Sequence, residues 1–284
     1  DTWLRKNANL TYGDHKIPFI SANIAKAGTT ETPDFLKKST VIQRGDYKIG
    51  IIGSIGETLK SSILKSCVEA YDFLDETDCV NAEAARLKTD EKCDIVIWTS
   101  HNDIDLLGNK AVSNVDAVFG GHAHLTKKLT INDGIPAAQT ANYGTSIAHI
   151  QLAIDKTTKA VSCSSFDVDE APTKLAGLGE NANVQTIMNS YKTSIDDIKN
   201  IKLGKAENNL PLSAALKNVC VESMYQGALK GIKENNLEIP EDKIIATFHN
   251  VEGGIRTDIA KGEILYGNVY AAFPFDNEIV LYKA

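Results

Sequence analysis

The stretch Cys93 to His124, CDIVIWTSHNDIDLLGNKAVSNVDAVFGGHAH, decides the fold. It holds two short apolar runs, Ile95 to Trp98 and Val115 to Phe119, each closed by polar or turn-forming residues. Both runs lead into histidine: Ser100-His101-Asn102-Asp103 after the first, Gly120-Gly121-His122-Ala123-His124 after the second. Between them Ile104, Leu106, Leu107, Ala111 and Val112 are spaced for a short helix crossing back over a sheet. The pattern predicts a βαβ unit that delivers His101, His122 and His124 to the carboxyl ends of neighbouring parallel strands. Open α/β sheets build their sites at that edge.

Neutral imidazole is the commonest protein ligand for divalent transition metals, and two on adjacent strand ends can share one ion. Paired glycines predict a tight turn that brings the following side chains close to a ligand. In a continuing strand His122 and His124 would point to opposite sides; in a loop they converge, or each serves one of two adjacent ions. A lone histidine at a strand end is more simply a polar residue bonded to backbone. Three of the chain's six histidines within one unit weigh against that simpler reading.

Length and composition bound the rest. A chain of 284 residues, 43% hydrophobic and 24% charged with seven prolines, is a folded globular protein of one large or two ordinary domains. No run approaches the ~20 apolar residues of a membrane span, and no secretory leader is read, as in a mature or trimmed chain. The net charge of −7 offers no basic stripe and argues against nucleic acid as a partner. An acidic protein that handles phosphate must supply positive charge locally, by metal or arginine. The five cysteines include no Cys-x-x-Cys pair, so a zinc ribbon is not expected; Cys67 and Cys79 are the candidate bridge. Asn9-Leu10-Thr11 is a glycosylation acceptor if the chain meets that machinery.

Along the chain, Phe19 to Ala22, Thr40 to Gln43 and Lys48 to Ile52 read as strands, and residues 60 to 89 read as helical on the spacing of Ile63, Leu64, Val68, Tyr71 and Leu74. Leu129 to Ile131, Ala137 to Thr140 and His149 to Ile154 read as further strands, with His149 structural. Asp, Glu, Ala, Pro and Gly gather without periodicity from Asp167 to Leu178, which marks a domain boundary. A helix from Val184 to Ile198 follows, then a strand from Lys202, a helix from about Ser213 to Asn235, and a strand from Lys243 to Phe248 leading into Gly253-Gly254.

At these residues the chain resembles the 5′-nucleotidase family. An apolar strand ending Ser100-His101, followed by Asp116-Ala-Val-Phe-Gly-Gly-His-Ala-His124, looks like the second half of its metallophosphoesterase domain. Ile17-Pro-Phe-Ile-Ser-Ala-Asn23, Tyr47-Lys-Ile-Gly-Ile-Ile-Gly53 and Gly134 to Gly144 resemble that domain's neighbouring strands. Gly253-Gly-Ile-Arg-Thr-Asp-Ile259, Tyr266 to Tyr270 and Phe273-Pro-Phe275 resemble the family's C-terminal nucleotide-binding domain, in the right order.

The resemblance implies an α/β fold: a metallophosphoesterase-type β-sandwich flanked by helices over residues 1–166, incomplete at its start. A linker and hinge helix over 167–202 and a partial α/β nucleotide-binding domain over 203–284 would follow. It implies metal-dependent hydrolysis of nucleotide phosphomonoesters with Zn, Mn or Mg, in a dinuclear centre whose ions lie ~3.5–4 Å apart. His101 and His122 would hold one ion and His124 would help the other. The family's Asp-x-His, Gly-Asp and Asn-His-Asp/Glu metal motifs are not found here, so the metal half-site and the C-terminal end are expected to be missing. Arg256 and Phe275 match an arginine and the first aromatic ring of the nucleotide site, with Gly253, Gly254 and Asn250 as its turn. Where the family has a second arginine and an asparagine, Leu212 and Val251 stand here, although Asn250 serves if the turn is one residue longer. An ion pair of Arg256 with Asp258 or Glu252, and core packing of Phe275, are the plainer alternatives.

Three functions follow: a 5′-nucleotidase-type phosphohydrolase, a non-catalytic relative with a binding, structural or secreted interaction role, and a mononuclear three-histidine zinc site. The family implies a secreted, cell-surface or periplasmic setting.

Overall fold

Four parallel strands with antiparallel edges carry the first half of the chain. The computed structural model describes residues 2–8, 11, 12, 15–132, 134–170, 177, 179–240, 244, 246–250, 253–275 and 278–282. They divide into two units, Asp1–Leu178 and Gly179–Ala284. The first opens with helix α1 (Thr2–Asn7), the pair β1 (Thr11–Tyr12) and β2 (His15–Lys16), and strand β3 (Ile24–Lys26). The central sheet is built from β4 (Ser39–Arg44), β5 (Tyr47–Ile55), β7 (Ile95–His101), β8 (Ala117–Gly120), β9 (Lys127–Ile131) and β10 (Ile135–Gln139), in the order β4-β5-β7-β8-β10-β9. β5, β7, β8 and β10 run parallel, and the edge strands β4 and β9 are antiparallel to their neighbours.

Strands of this kind read as near-continuous apolar runs, which is why β7 and β8 are visible in the sequence. Val96 and Trp98 of β7, Ile52 of β5, Val118 of β8 and Ala137 of β10 form the core with Val80, Ala84 and Leu87 of helix α3 (Glu76–Thr89). Those three helix positions recur at the spacing of one α-helical face. Gly50 allows the close approach: a methyl group there would lie 2.8 Å from Leu87 Cδ1. Helix α3 starts where Asp75 caps it, its carboxylate accepting the Asp78 N–H at 2.9 Å.

The long helix expected over 60–89 is therefore broken. Glu57–Ser62 is a 3-10 turn, Lys65–Val68 is a single α turn (α2), and Tyr71–Phe73 is a strand (β6) that pairs antiparallel with β3. The crossover after β7 is likewise one turn, α4 (Ile104–Leu107), with Ala111 and Val112 outside it. Phe19 to Ala22 is no strand but a segment held by an isolated Ile20–Lys37 bridge and by the Ala22 N–H on the Gly53 carbonyl. The antiparallel hairpin β11 (Ser146–Ile154) and β12 (Val161–Glu170) completes the unit, and β12 runs four residues into the stretch read as linker.

The second unit holds α5 (Ala182–Lys199), β13 (Lys202–Ala206), α6 (Ala215–Glu234), β14 (Gly262–Leu265) and α7 (Tyr266–Ala272). β13 and β14 pair antiparallel. Leu216, Cys220, Ile255, Ile259 and Ala272 form its core. The strand expected over Lys243–Phe248 is not formed at Ile244 or at 246–248; positions 241–243 and 245, like Asn9, Val251, Glu252 and 171–176, lie outside the described residues. All five cysteines are free thiols, so the Cys67–Cys79 bridge is not made. Among the described residues no helix is long and apolar enough to cross a membrane.

Candidate functional site

The carboxyl edge of the parallel strands carries the histidines. His101 is the last residue of β7, paired in register with Ile55 of β5, and Gly120 ends β8 opposite Gln139 at the end of β10. Nδ1 of His122 lies 3.2 Å from Nε2 of His101, with the rings edge-on at 71°. Two nitrogens that ligate one ion at about 2.0–2.1 Å stand roughly 3 Å apart, so this pair fits one corner of a metal site. Burial lowers the pKa of His101 most, and the neighbouring imidazoles of His122 and His124 lower it further. His101 is thereby favoured as the neutral imidazole that ligation requires.

His124 does not join them. Its ring turns to Tyr143, 6.3 Å away between centroids, and among the described residues no three His, Cys, Asp or Glu side chains converge to hold an ion. The reason is in the backbone. His122 and His124 themselves adopt the left-handed conformation, at φ +64° and +58°, whereas Gly120 and Gly121 have no positive φ. The Ala123 N–H closes a three-residue turn on the Gly121 carbonyl at 2.7 Å, with His122 at its centre. Strain of this sort on a non-glycine residue persists only where the surroundings over-determine it. The glycines serve a different end: a methyl group on Gly120 would lie 2.1 Å from Ile104 Cγ2, while one on Gly121 would meet nothing nearer than 3.7 Å.

Three groups around the histidines were not singled out from the sequence. Glu76, in the first turn of α3 and 4% exposed, accepts from the hydroxyls of Ser54 and Ser100 and from the side-chain amide of Asn102. Ser100 and Asn102 are the two neighbours of His101, so this buried carboxyl group fixes the strand end on both sides of the imidazole. Lys127 pairs with Asp103 at 2.7 Å and Asp105 at 2.5 Å, joining the segment after His101 to the end of the Gly-Gly-His loop. Burial pushes the Asp103 carboxyl up, but the Lys127 bond and the Asp105 N–H outweigh it and hold it below the usual range. Gln139 bonds to both loops at once. A glutamate opening a helix and a glutamine inside Ala137-Ala138-Gln139 carry no signal in one dimension; only the register of the sheet shows what they touch.

In the second unit the guanidinium of Arg256 lies over the Phe275 ring, 5.1 Å from its centroid. The Arg256 N–H is held by the Ala272 carbonyl at 2.9 Å. The alternative ion pair with Asp258 is not formed: Asp258 accepts the Leu212 N–H at 2.6 Å instead. Phe275 is 46% exposed, so it is not a core residue. Gly253 has φ +78°, and a methyl group on Gly254 would lie 2.2 Å from the Asn250 carbonyl oxygen, so this turn admits glycine at both places. Asn250 is exposed beside it, and Nδ1 of His249 is buried with no hydrogen-bond partner among the described residues. Leu212 packs against the core of this unit.

No family profile matches the chain. It is 38% identical over 112 residues to an apyrase of Tabanus yao, covering 38% of this chain and 20% of that protein. It is 24% identical over 290 residues to the trifunctional nucleotide phosphoesterase protein YfkN of Bacillus subtilis, covering 93% of this chain and 19% of that protein. The crystal structure of a 5′-nucleotidase precursor from Thermus thermophilus superposes with a TM-score of 0.64 at 16% identity, over 91% of this chain and 53% of that one. The chain thus spans about a fifth of these curated relatives and about half of the solved structure. Its central mixed sheet with flanking helices is the fold of that solved 5′-nucleotidase, and over most of its length the chain is similar to a curated nucleotide phosphoesterase.

Proposed function

We propose that the chain carries part of a metal-dependent phosphohydrolase of the 5′-nucleotidase type, acting on nucleotide phosphomonoesters. The observation that carries this reading is the His101–His122 pair, 3.2 Å apart at the strand edge where such folds place their sites. His101 and His122 would hold a Zn, Mn or Mg ion, whose chemistry is to polarise a phosphoryl oxygen and supply hydroxide near neutral pH. His124 as positioned supplies no third ligand, so a closed centre, dinuclear or three-histidine, is not supported by the described residues. In the second unit Arg256 would pair its fork with a nucleotide oxygen. The guanidinium covers one face of Phe275, which leaves the other face of the half-exposed ring to a base. We assign helix α5, which follows the end of β12 and precedes β13, as the hinge helix of the linker, and the chain to a setting outside the cytoplasm.

The test is metal content after exposure to Zn, Mn or Mg, together with phosphate release from AMP. The expected result is bound metal and turnover, both lost in His122→Ala with an unchanged circular dichroism spectrum. A folded chain that takes up no metal and releases no phosphate favours the second reading, a non-catalytic relative that uses the scaffold for binding. That reading draws on Leu212, which is an apolar packing residue where the resembling enzymes carry an arginine.

A further inference from the structure

We propose that Gln139 is a positioning residue that sets the spacing of the His101 and His122 imidazoles; this rests on the reading of those two side chains as the metal corner. Gln139 ends β10 and is fully buried, at 0% exposure. Burying a primary amide is costly unless both of its ends are bonded, and an apolar residue after Ala137 and Ala138 would fill a core strand without that cost. Both ends of Gln139 are used, and neither bond lies within the sheet. Its Oε1 accepts the backbone N–H of Ile104 at 3.0 Å, and its Nε2 donates to the backbone carbonyl of Leu125 at 3.0 Å. Ile104 is three residues beyond His101, and Leu125 is three residues beyond His122. One rigid side chain therefore fixes the two histidine loops against each other from beneath.

Gly120 makes room for it. Gly120 is the register partner of Gln139, and a methyl group there would lie 2.1 Å from Ile104 Cγ2 and 3.1 Å from Gln139 Oε1. The first glycine of Gly-Gly-His is thus a space requirement of Ile104, whose N–H Gln139 holds, rather than a source of backbone freedom. Besides the His101–His122 contact itself, two other links among the described residues join the same loops: the Gly121 N–H on the Asn102 carbonyl at 2.9 Å, and the part-exposed pairing of Lys127 with Asp103 and Asp105. The first is a single bond at the base of the turn. The second lies partly in solvent, where ion pairs contribute little. Among the described residues, Gln139 is the buried side chain that bonds to both loops.

The experiment compares the full chain with Gln139→Met, which keeps length and volume and removes both hydrogen bonds. Cobalt(II) titration followed by visible absorption reads the metal corner, and imidazole nitrogen NMR of the metal-free protein reads the His101–His122 contact. Supporting outcomes are loss of the shared imidazole N–H resonance and an about 10- to 100-fold weaker cobalt affinity, the usual penalty for removing a group that orients a ligand. An unchanged imidazole resonance and unchanged affinity in the variant overturn the proposal while leaving the metal reading intact. A wild-type chain that binds no cobalt, but whose imidazole contact is lost in the variant, overturns the metal reading and keeps the clamp. If Gln139→Met does not fold, hydrogen exchange of the wild type decides. Slow exchange of the Gln139 carboxamide protons and the Ile104 amide supports the clamp, and fast exchange of either overturns it.

Discussion

Replacing Glu76 tests the network beneath His101. Its Oε1 accepts from Ser54 Oγ at 2.7 Å and from Ser100 Oγ, and its Oε2 from Asn102 Nδ2 at 2.9 Å. Ser54 Oγ in turn accepts the indole N–H of Trp98 at 2.6 Å. In Glu76→Ala all three donors lose their acceptor inside the core. Each buried donor left unsatisfied costs about 1–3 kcal/mol, and water entering the vacated space recovers part of the sum, so the variant should lose about 3–5 kcal/mol. That is a large share of the ~5–15 kcal/mol that holds a domain folded. Glu76→Gln keeps the shape and should lose less, about 1–2 kcal/mol. Its amide cannot be matched by turning Asn102, whose Oδ1 already accepts the Asp103 N–H at 3.0 Å. The serine hydroxyls, however, can turn and accept in place of donating.

Urea denaturation followed by tryptophan fluorescence measures both variants, with the free energy taken from the midpoint and slope. The chain has two tryptophans, Trp3 and Trp98, both within the first unit, so the signal belongs to the unit that contains Glu76. Glu76→Ala within about 1 kcal/mol of wild type would refute the reasoning, since even one orphaned donor should exceed that. Glu76→Gln costing more than Glu76→Ala would refute it equally.

The two glycines before His122 should separate cleanly in thermal melting. Gly120→Ala drives a methyl group to 2.1 Å from Ile104 Cγ2 and should cost about 1–3 kcal/mol or more. Gly121→Ala, with its nearest contact at 3.7 Å, should stay within about 0.5 kcal/mol. Asp94 gives a pH signature: the Lys48 N–H, more than Lys159 and Lys88, holds its carboxyl below the ordinary value of 3.8 against the opposing effect of burial. Its contribution is therefore present above that value and lost as pH falls through the lower folded one, so Asp94→Asn should be destabilised at pH 7 and should converge with wild type in strong acid. Denaturation midpoints that keep a constant gap across that range would contradict it. In the nucleotide reading, Phe275→Leu should weaken AMP binding by about 1–3 kcal/mol while leaving inorganic phosphate affinity unchanged, which isothermal titration resolves.

How far each feature was legible follows from where its determinants lie in the chain. β7 and β8 could be read because parallel strands bury both faces and so appear as short apolar runs, here Ile95 to Trp98 and Val115 to Phe119. The 60–89 segment misled because Ile63, Leu64, Val68, Tyr71 and Leu74 fit helical spacing, yet the same stretch serves a 3-10 turn, one α turn and a strand. The Asp75 cap was the local signal that a new helix begins at Glu76. Arg256 and Phe275 were found only through resemblance, since residues so far apart share no local pattern, and their stacking is a tertiary result. His124 shows the limit most clearly. Its type and its distance from His122 both suited a ligand, but a left-handed backbone at each histidine turns the two rings apart. The residues that hold the site together were beyond reach for a related reason: Gln139 bonds to backbone atoms, which every sequence offers at every position. A side chain whose partners are backbone groups leaves no mark on the residues it positions, and at the histidine edge Gln139 is such a side chain.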